Sequence, residues 1–430
     1  MRRLGTGQLL AYGLFGLPLA MAALPLYVHL PKFYGDDLGM NLALVGGILL
    51  AARLLDAIQD PLLGYFSDRA PGRKRFIAFA LPLLALGMLG LFNPPALAAA
   101  ALAWWLLACL IVVYLGFSMA SISYQAWGAQ LSDDRDERTR ITASRETFTL
   151  IGVVGAAALP ALLGSGSAEQ LSRFSGLFVL LLGVCALLTL ALSPDAVAAP
   201  AGTRDRGMRA ALLQPLSNKA FRRLLAVFVL NGIASAIPAT LVMFFMADVL
   251  QLGERAGLFL ALYFISGALG MPLWVWLSRR QGKKRAWLGG MLLSIAAFIW
   301  AYGLGAGDAL AFGLVCVMSG VALGADLALP PSMLADVIDE EGGAAAAPGV
   351  VAGRGEGAYF GLWNLVTKLN LALAAGISLP LLGALGYVPG VAGSAAALSF
   401  AYCIIPCGLK LLAVAALWVS PFDQPSRPGV

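Results

Sequence analysis

Long apolar runs separated by short polar stretches repeat from one end of the chain to the other. Each run is close to the roughly 20 residues that an α-helix needs to cross a hydrocarbon core. They fall near residues 9–30, 41–66, 76–94, 97–127, 143–164 and 174–193. A second set falls near 222–248, 256–278, 286–305, 309–335, 357–384 and 392–420. The pattern predicts twelve membrane-spanning helices. A longer hydrophilic stretch, Ser193 to Arg223, carries Arg204, Arg206, Arg209, Lys219, Arg222 and Arg223 and divides the runs six and six. The expected organisation is a six-helix bundle over 1–193, a linker over 194–221 and a second six-helix bundle over 222–430.

An internal repeat supports this division. Ser67-Asp-Arg-Ala-Pro-Gly-Arg-Lys-Arg75 follows the second run, and Ser278-Arg-Arg-Gln-Gly-Lys-Lys-Arg285 follows the eighth. Duplicated six-span halves are the signature of two-bundle transporters, whose substrate site lies near the midplane between the halves. Each loop alone would signal only topology; the matched Gly and basic triplet argue for duplication. Pro18, Pro25 and Pro31 interrupt the first run, and the 50 glycines favour bends and close helix contact.

Composition agrees. The 430 residues are 60% hydrophobic and 12% charged, with a mean hydropathy of +0.83, which describes an integral membrane protein. A net charge of +6 invites a nucleic-acid reading, but the placement of the charges excludes it. With a cytoplasmic N-terminus, only Lys32, Arg173 and Arg255 fall outside, Arg53, Lys368 and Lys410 fall within runs, and the other basic residues lie in or beside cytoplasmic segments. That bias places both termini in the cytoplasm. The opening Met1-Arg-Arg-Leu-Gly-Thr-Gly lacks the design of a cleavable signal, so the first span is expected to be retained. The five cysteines lie in apolar runs without metal-ligand spacing and read as small buried hydrophobes. One histidine, no HExxH and no P-loop argue against a metalloenzyme and an ATP-driven pump. The chain is expected not to be an enzyme, to need no cofactor, and to work as a monomer in a bacterial inner membrane, with lipid and a small-molecule solute as its partners.

The chemistry lies in charges that interrupt apolar runs. Asp56 and Asp60 stand at i and i+4, which puts both carboxylates on one helix face about 6 Å apart along the axis. Ionised carboxylates in hydrocarbon are costly and mark ion pathways. Arg53, on the same face, neutralises one, and the other calls for a cation. Lys368 lies about a dozen residues inside the eleventh run, beyond easy snorkelling. It serves either in coupling or in a structural pair with Asp326, the lone acid of the tenth run. Lys410 is expected at the lipid boundary or packed structurally. Trp363 and Asn364, one turn before Lys368, either line a solute cavity or face lipid. His29 reads as interfacial. Asp336 and Asp339 are expected to cap the helix end or bridge to basic loops, and Arg73, Arg75, Arg138 and Arg285 to form a cytoplasmic gate.

Arg53-Leu-Leu-Asp-Ala-Ile-Gln-Asp-Pro-Leu-Leu-Gly-Tyr-Phe-Ser-Asp-Arg69 resembles the second-helix motif of the glycoside–pentoside–hexuronide:cation symporters, the melibiose-permease branch of the major facilitator superfamily. Ser132-Asp-Asp-Arg-Asp-Glu-Arg-Thr-Arg-Ile141 is similar to that family's loop after the fourth span, and Lys368 with Gly386-Tyr-Val-Pro389 to its eleventh-helix region. The resemblance implies an all-α membrane protein with the major facilitator fold and a cation site built from Asp56, Asp60, Gln59 and Ser118. All four are oxygen donors suited to Na⁺, Li⁺ or a proton relay. Gln59 departs from the family's usual Asn.

The implied sugar site is altered. The first-helix acid falls at Ala20, the fourth-helix acid at Ser121 and its neighbouring tryptophan at Gln125, while Arg145 stands one residue off a fifth-helix arginine. Carboxylates hold sugars by accepting several hydroxyl hydrogen bonds, so the resemblance with these changes implies a less polar, aromatic or amphipathic solute. The expected activity is cation-coupled transport of a small organic solute, with an uncoupled facilitator or a lysophospholipid transporter as the alternative.

Overall fold

The computed structural model describes residues 4–70, 72–164, 166–195, 208–345, 355–387 and 395–422. Met1-Arg-Arg3, Pro71, Arg204, Arg206, Val388 and Pro389, all named above, lie outside the described residues. Among the described residues the chain is helical and contains no strand. In order, the helices are α1 (Thr6–Leu14), α2 (Gly16–Lys32), α3 (Leu42–Arg69), α4 (Arg73–Phe92), α5 (Ala99–Gln130), α6 (Arg135–Leu162), α7 (Ser167–Leu192) and α8 (Met208–Ser217). There follow α9 (Lys219–Phe244), α10 (Ala256–Gln281), α11 (Lys283–Ala301), α12 (Ala309–Ala345), α13 (Glu356–Ala384), α14 (Ala395–Ser399) and α15 (Ile405–Val419).

Eight stretches among the described residues are long and apolar enough to cross a membrane: Thr6–Ala23, Arg73–Phe92, Ala99–Gln130, Ser167–Leu192, Lys219–Val249, Gly253–Gln281, Ala309–Glu341 and Ala395–Val419. The other four expected runs also form long helices, α3, α6, α11 and α13, each with charged residues in its length. Contacts gather the chain into two units, Met1–Pro215 with Ile338–Leu365, and Leu216–Val337 with Val366–Val430. The division falls inside the expected linker, and the first unit also takes the end of α12 and the first turns of α13.

Within the first unit, glycines let helix backbones approach. A Cβ at Gly16 of α2 would stand 2.7 Å from the Arg145 carbonyl of α6, and one at Gly116 of α5 would stand 2.7 Å from the Leu84 nitrogen of α4. Close approach maximises van der Waals contact where lipid offers no hydrophobic gain. Tyr12 and Tyr124, both buried, donate their hydroxyls to each other's main-chain carbonyls and tie α1 to α5. The α6 helix is capped by Asp134, whose carboxylate accepts from the amides of Asp136 and Glu137 at 2.8 and 3.0 Å.

The repeated basic triplets make matching contacts, each inside its own unit. Lys74 donates to the Ser193 carbonyl at 2.7 Å, at the end of α7, and Lys284 to the Ser420 carbonyl at 2.9 Å, at the end of α15. In both, an ammonium takes a carbonyl at a helix C-terminus, where the helix dipole favours positive charge. The repeat read from sequence therefore has a structural counterpart. The five cysteines are free thiols, Cys109 half-buried and the others buried.

Candidate functional site

The helical period of α3 places Asp56 and Asp60 one turn apart, and both are buried, Asp60 completely. Asp56 is where α3 meets α5. Its Oδ1 accepts the Ser118 hydroxyl of α5 at 2.9 Å and the Gln59 amide of its own helix at 3.1 Å. Carboxylate, hydroxyl and amide thus converge on Asp56 Oδ1, a grouping that the resemblance implies. Asp60 lies beside the close passage of α13, where a Cβ at Gly361 would stand 2.7 Å from the Asp60 carbonyl. Arg53 is half-buried one turn before Asp56.

A second polar chain joins α5 to α13. Gln125 donates its amide to the Ser121 hydroxyl at 3.1 Å and to the Asn364 side-chain oxygen at 3.2 Å, and Trp363 beside it is 3% exposed. Three of the predicted solute residues are therefore neighbours. Ala20 is buried against α6, within reach of a Cβ at Gly152. Arg145 is also buried, and its guanidinium is engaged by the adjacent Glu146 at 2.9 and 2.6 Å. Sequence reading missed Glu146, although an acid beside an arginine in an apolar run was the available signal.

Lys368 is half-buried on α13, in the portion that belongs to the second unit. The suggested pairing of Lys368 with Asp326 is corrected: the base on Asp326 is Lys410, whose Nζ lies 2.8 Å from Oδ2. Lys410 is 2% exposed, not at a lipid boundary. The physical reason is that a buried ammonium needs a counter-charge and accepting oxygens, which Asp326 and Asn231 supply.

The expected gate residues behave differently from one another. Arg73 is buried in the first unit, bonding Asp68 at 2.7 Å, the Ser67 hydroxyl at 2.8 Å and Glu356 at 3.4 Å. Asp68 also accepts from the Gly357 and Ala358 amides at 2.7 and 3.0 Å, at the start of α13. Arg138 is buried and pairs with Asp339 at 3.2 Å while donating to the Ser132 carbonyl at 2.8 Å. Arg135 pairs with Glu340. Arg75 and Arg285 instead stand exposed in the first turns of α4 and α11. Asp336 bridges to Lys283 at 2.6 Å, so both predicted acids of α12 reach basic segments. Burial pushes the Glu356 carboxyl above its ordinary range, opposed by the Arg73 guanidinium and reinforced by Asp68.

Residues 9–424 match the family model described as MFS/sugar transport protein. The mouse sphingosine-1-phosphate transporter MFSD2B is 26% identical over 407 residues, covering 87% of this chain and 80% of that protein. The sodium-dependent lysophosphatidylcholine symporter 1 of Xenopus tropicalis is 23% identical over 430 residues, covering 88% and 80%. The isoprimeverose transporter of Lactiplantibacillus pentosus is 25% identical over 413 residues, covering 91% and 83%. Among solved structures, the human organic anion transporter MFSD10 superimposes with a TM-score of 0.66 at 20% identity, covering 96% of this chain and 98% of that one. At that identity the likeness speaks for the fold alone.

Proposed function

The chain belongs to the family of MFS/sugar transport proteins, and on that premise we propose a cation-coupled secondary transporter that moves a small organic solute by alternating access. The observation that carries the reading is the convergence of Asp56, Gln59 and Ser118 inside the apolar stretch of α3 and α5. Two buried carboxylates at i and i+4 on α3 supply the negative charge that such a site needs. A Na⁺ ion or a proton bound there reduces repulsion and favours the state that takes solute, a coupling typically of about 1–3 kcal/mol. Lys368 is the coupling partner in this scheme. Ser121, Gln125, Arg145, Trp363 and Asn364 contact the solute, with Ala20 as an apolar wall. The ion pairs of Arg73 and Arg138 are the contacts that opening on the cytoplasmic side would break.

Twelve spans, halves of 1–193 and 222–430, cytoplasmic termini and a bacterial inner membrane complete the proposal. Relatives include transporters of sphingosine-1-phosphate, lysophosphatidylcholine and isoprimeverose by name, and Ala20 in place of an acid favours the less polar end of that range. A lysophospholipid or other amphipath is therefore the second reading. A thermal-shift screen of sugars, uronates, aromatic acids and lysolipids, with and without Na⁺, identifies the solute. Proteoliposome uptake of the hit under an imposed Na⁺ or H⁺ gradient then tests coupling. Asp56→Asn and Asp60→Asn should each abolish gradient-driven accumulation while inserting normally. Full accumulation by both refutes the coupling site.

A further inference from the structure

The second unit contains a polar cluster that the transport reading does not use. Three helices, α9, α11 and α15, bring side chains to Asp326 of α12. Trp287 of α11 donates its indole nitrogen to Oδ1 at 2.9 Å, Lys410 of α15 approaches Oδ2 at 2.8 Å, and the Ser235 hydroxyl of α9 lies 3.4 Å from the same Oδ2. Lys410 Nζ also donates to Asn231 Oδ1 of α9 at 2.9 Å. Lys410, Asn231 and Trp287 are all buried.

We propose that this is a cation site filled by the protein's own lysine: the Lys410 ammonium occupies the position that an alkali cation would take among Asp326, Asn231 and Ser235. The donor chemistry carries the inference. Carboxylate, amide carbonyl and hydroxyl are the three oxygen types suited to a hard monovalent cation, and in the first unit a carboxylate, an amide and a hydroxyl also meet at Asp56, where the Gln59 amide nitrogen and the Ser118 hydroxyl both donate to Oδ1. The indole holds Oδ1, so Oδ2 is the oxygen turned to the charge. The two acceptors, Asp326 of α12 and Asn231 of α9, stand on separate helices and both meet the one ammonium. Tethering fixes the charge of the second unit. Among the described residues this leaves the Asp56 site as the exchangeable one; that statement rests on the proposed coupling site, whereas the tethered site does not.

The test uses the purified full chain in an Asp56→Asn background, which silences the first site, with ²²Na⁺ as the probe and choline chloride as the ionic-strength control. Lys410→Ala should create saturable ²²Na⁺ binding of about one ion per chain, absent from the background alone and lost again on adding Asp326→Asn. Lys410→Met keeps the apolar stem and removes only the ammonium, so its folding does not depend on a filled cavity. Folding of either variant in NaCl but not in choline chloride also supports the site. Folded variants without saturable ²²Na⁺ binding overturn the proposal, as does failure of both variants to fold in either salt. Because Asp56 is already neutralised, these outcomes leave the coupling reading to its own uptake assay.

Discussion

Replacing Ser118 with Ala probes the proposed cation site, where α3 and α5 meet. The hydroxyl donates to Asp56 Oδ1 at 2.9 Å, and both side chains are buried. When a cation sits at Asp56, the hydroxyl oxygen becomes a ligand in place of its proton being the donor. Ser118→Ala removes that oxygen and opens no gap larger than a hydroxyl. Hydrogen bonds and contacts to charged groups are worth about 1.5–3 kcal/mol, so the half-saturating Na⁺ or Li⁺ concentration should rise about 10- to 150-fold. The assay is thermal unfolding of purified protein across a NaCl or LiCl series, with choline chloride holding ionic strength constant. A ligand that binds only the native state raises stability as RT ln(1 + [L]/Kd), so the variant's curve should keep its shape and move to higher salt. A purely structural role would instead lower the midpoint by the same amount at every concentration. If parent and variant share one half-saturating concentration, Ser118 is no ligand and the reasoning is refuted.

Lys368→Met should abolish accumulation of the screened solute against a gradient, and normal gradient-driven uptake would place Lys368 outside coupling. Glu356 has a raised folded-state pKa, caused first by burial. Its contribution to stability is therefore fully present below the ordinary value of 4.5 and lost as pH rises through the folded value. Glu356→Gln should flatten the pH dependence of unfolding in that window, and an unchanged slope would show that Glu356 does not cause it. Simple galactosides should bind poorly, because Ala20 and Ser121 each lack a carboxylate and each lost charge-assisted bond is worth roughly 1.5–3 kcal/mol. Submillimolar, Na⁺-dependent galactoside binding in isothermal titration would mean that other residues supply the acceptors.

The helical architecture was legible because periodic hydrophobicity is a local property. Runs of about 20 apolar residues must become helices in a bilayer, since no other open structure satisfies the backbone there. The duplicated basic loops were equally plain, and their lysines do make matching contacts with the carbonyls of Ser193 and Ser420. The pairing of Asp56 with Gln59 follows from the 3.6-residue period alone. Its meeting with Ser118, 62 residues on, was reached only through a resemblance.

What sequence determined by itself was therefore the set of helices and the residues that share a face of one helix. Tertiary structure decided which faces meet. Asp326 and Lys410 are 84 residues apart, and nothing in the spacing favours Lys410 over Lys368 as the partner. Helix packing makes that choice, because it turns Lys410 inward among Asp326 and Asn231. Arg145 is the converse case, with its charge answered by the very next residue, Glu146. An i, i+1 pair points in different directions on an ideal helix, yet in the folded chain both side chains are largely buried and meet at 2.6 Å.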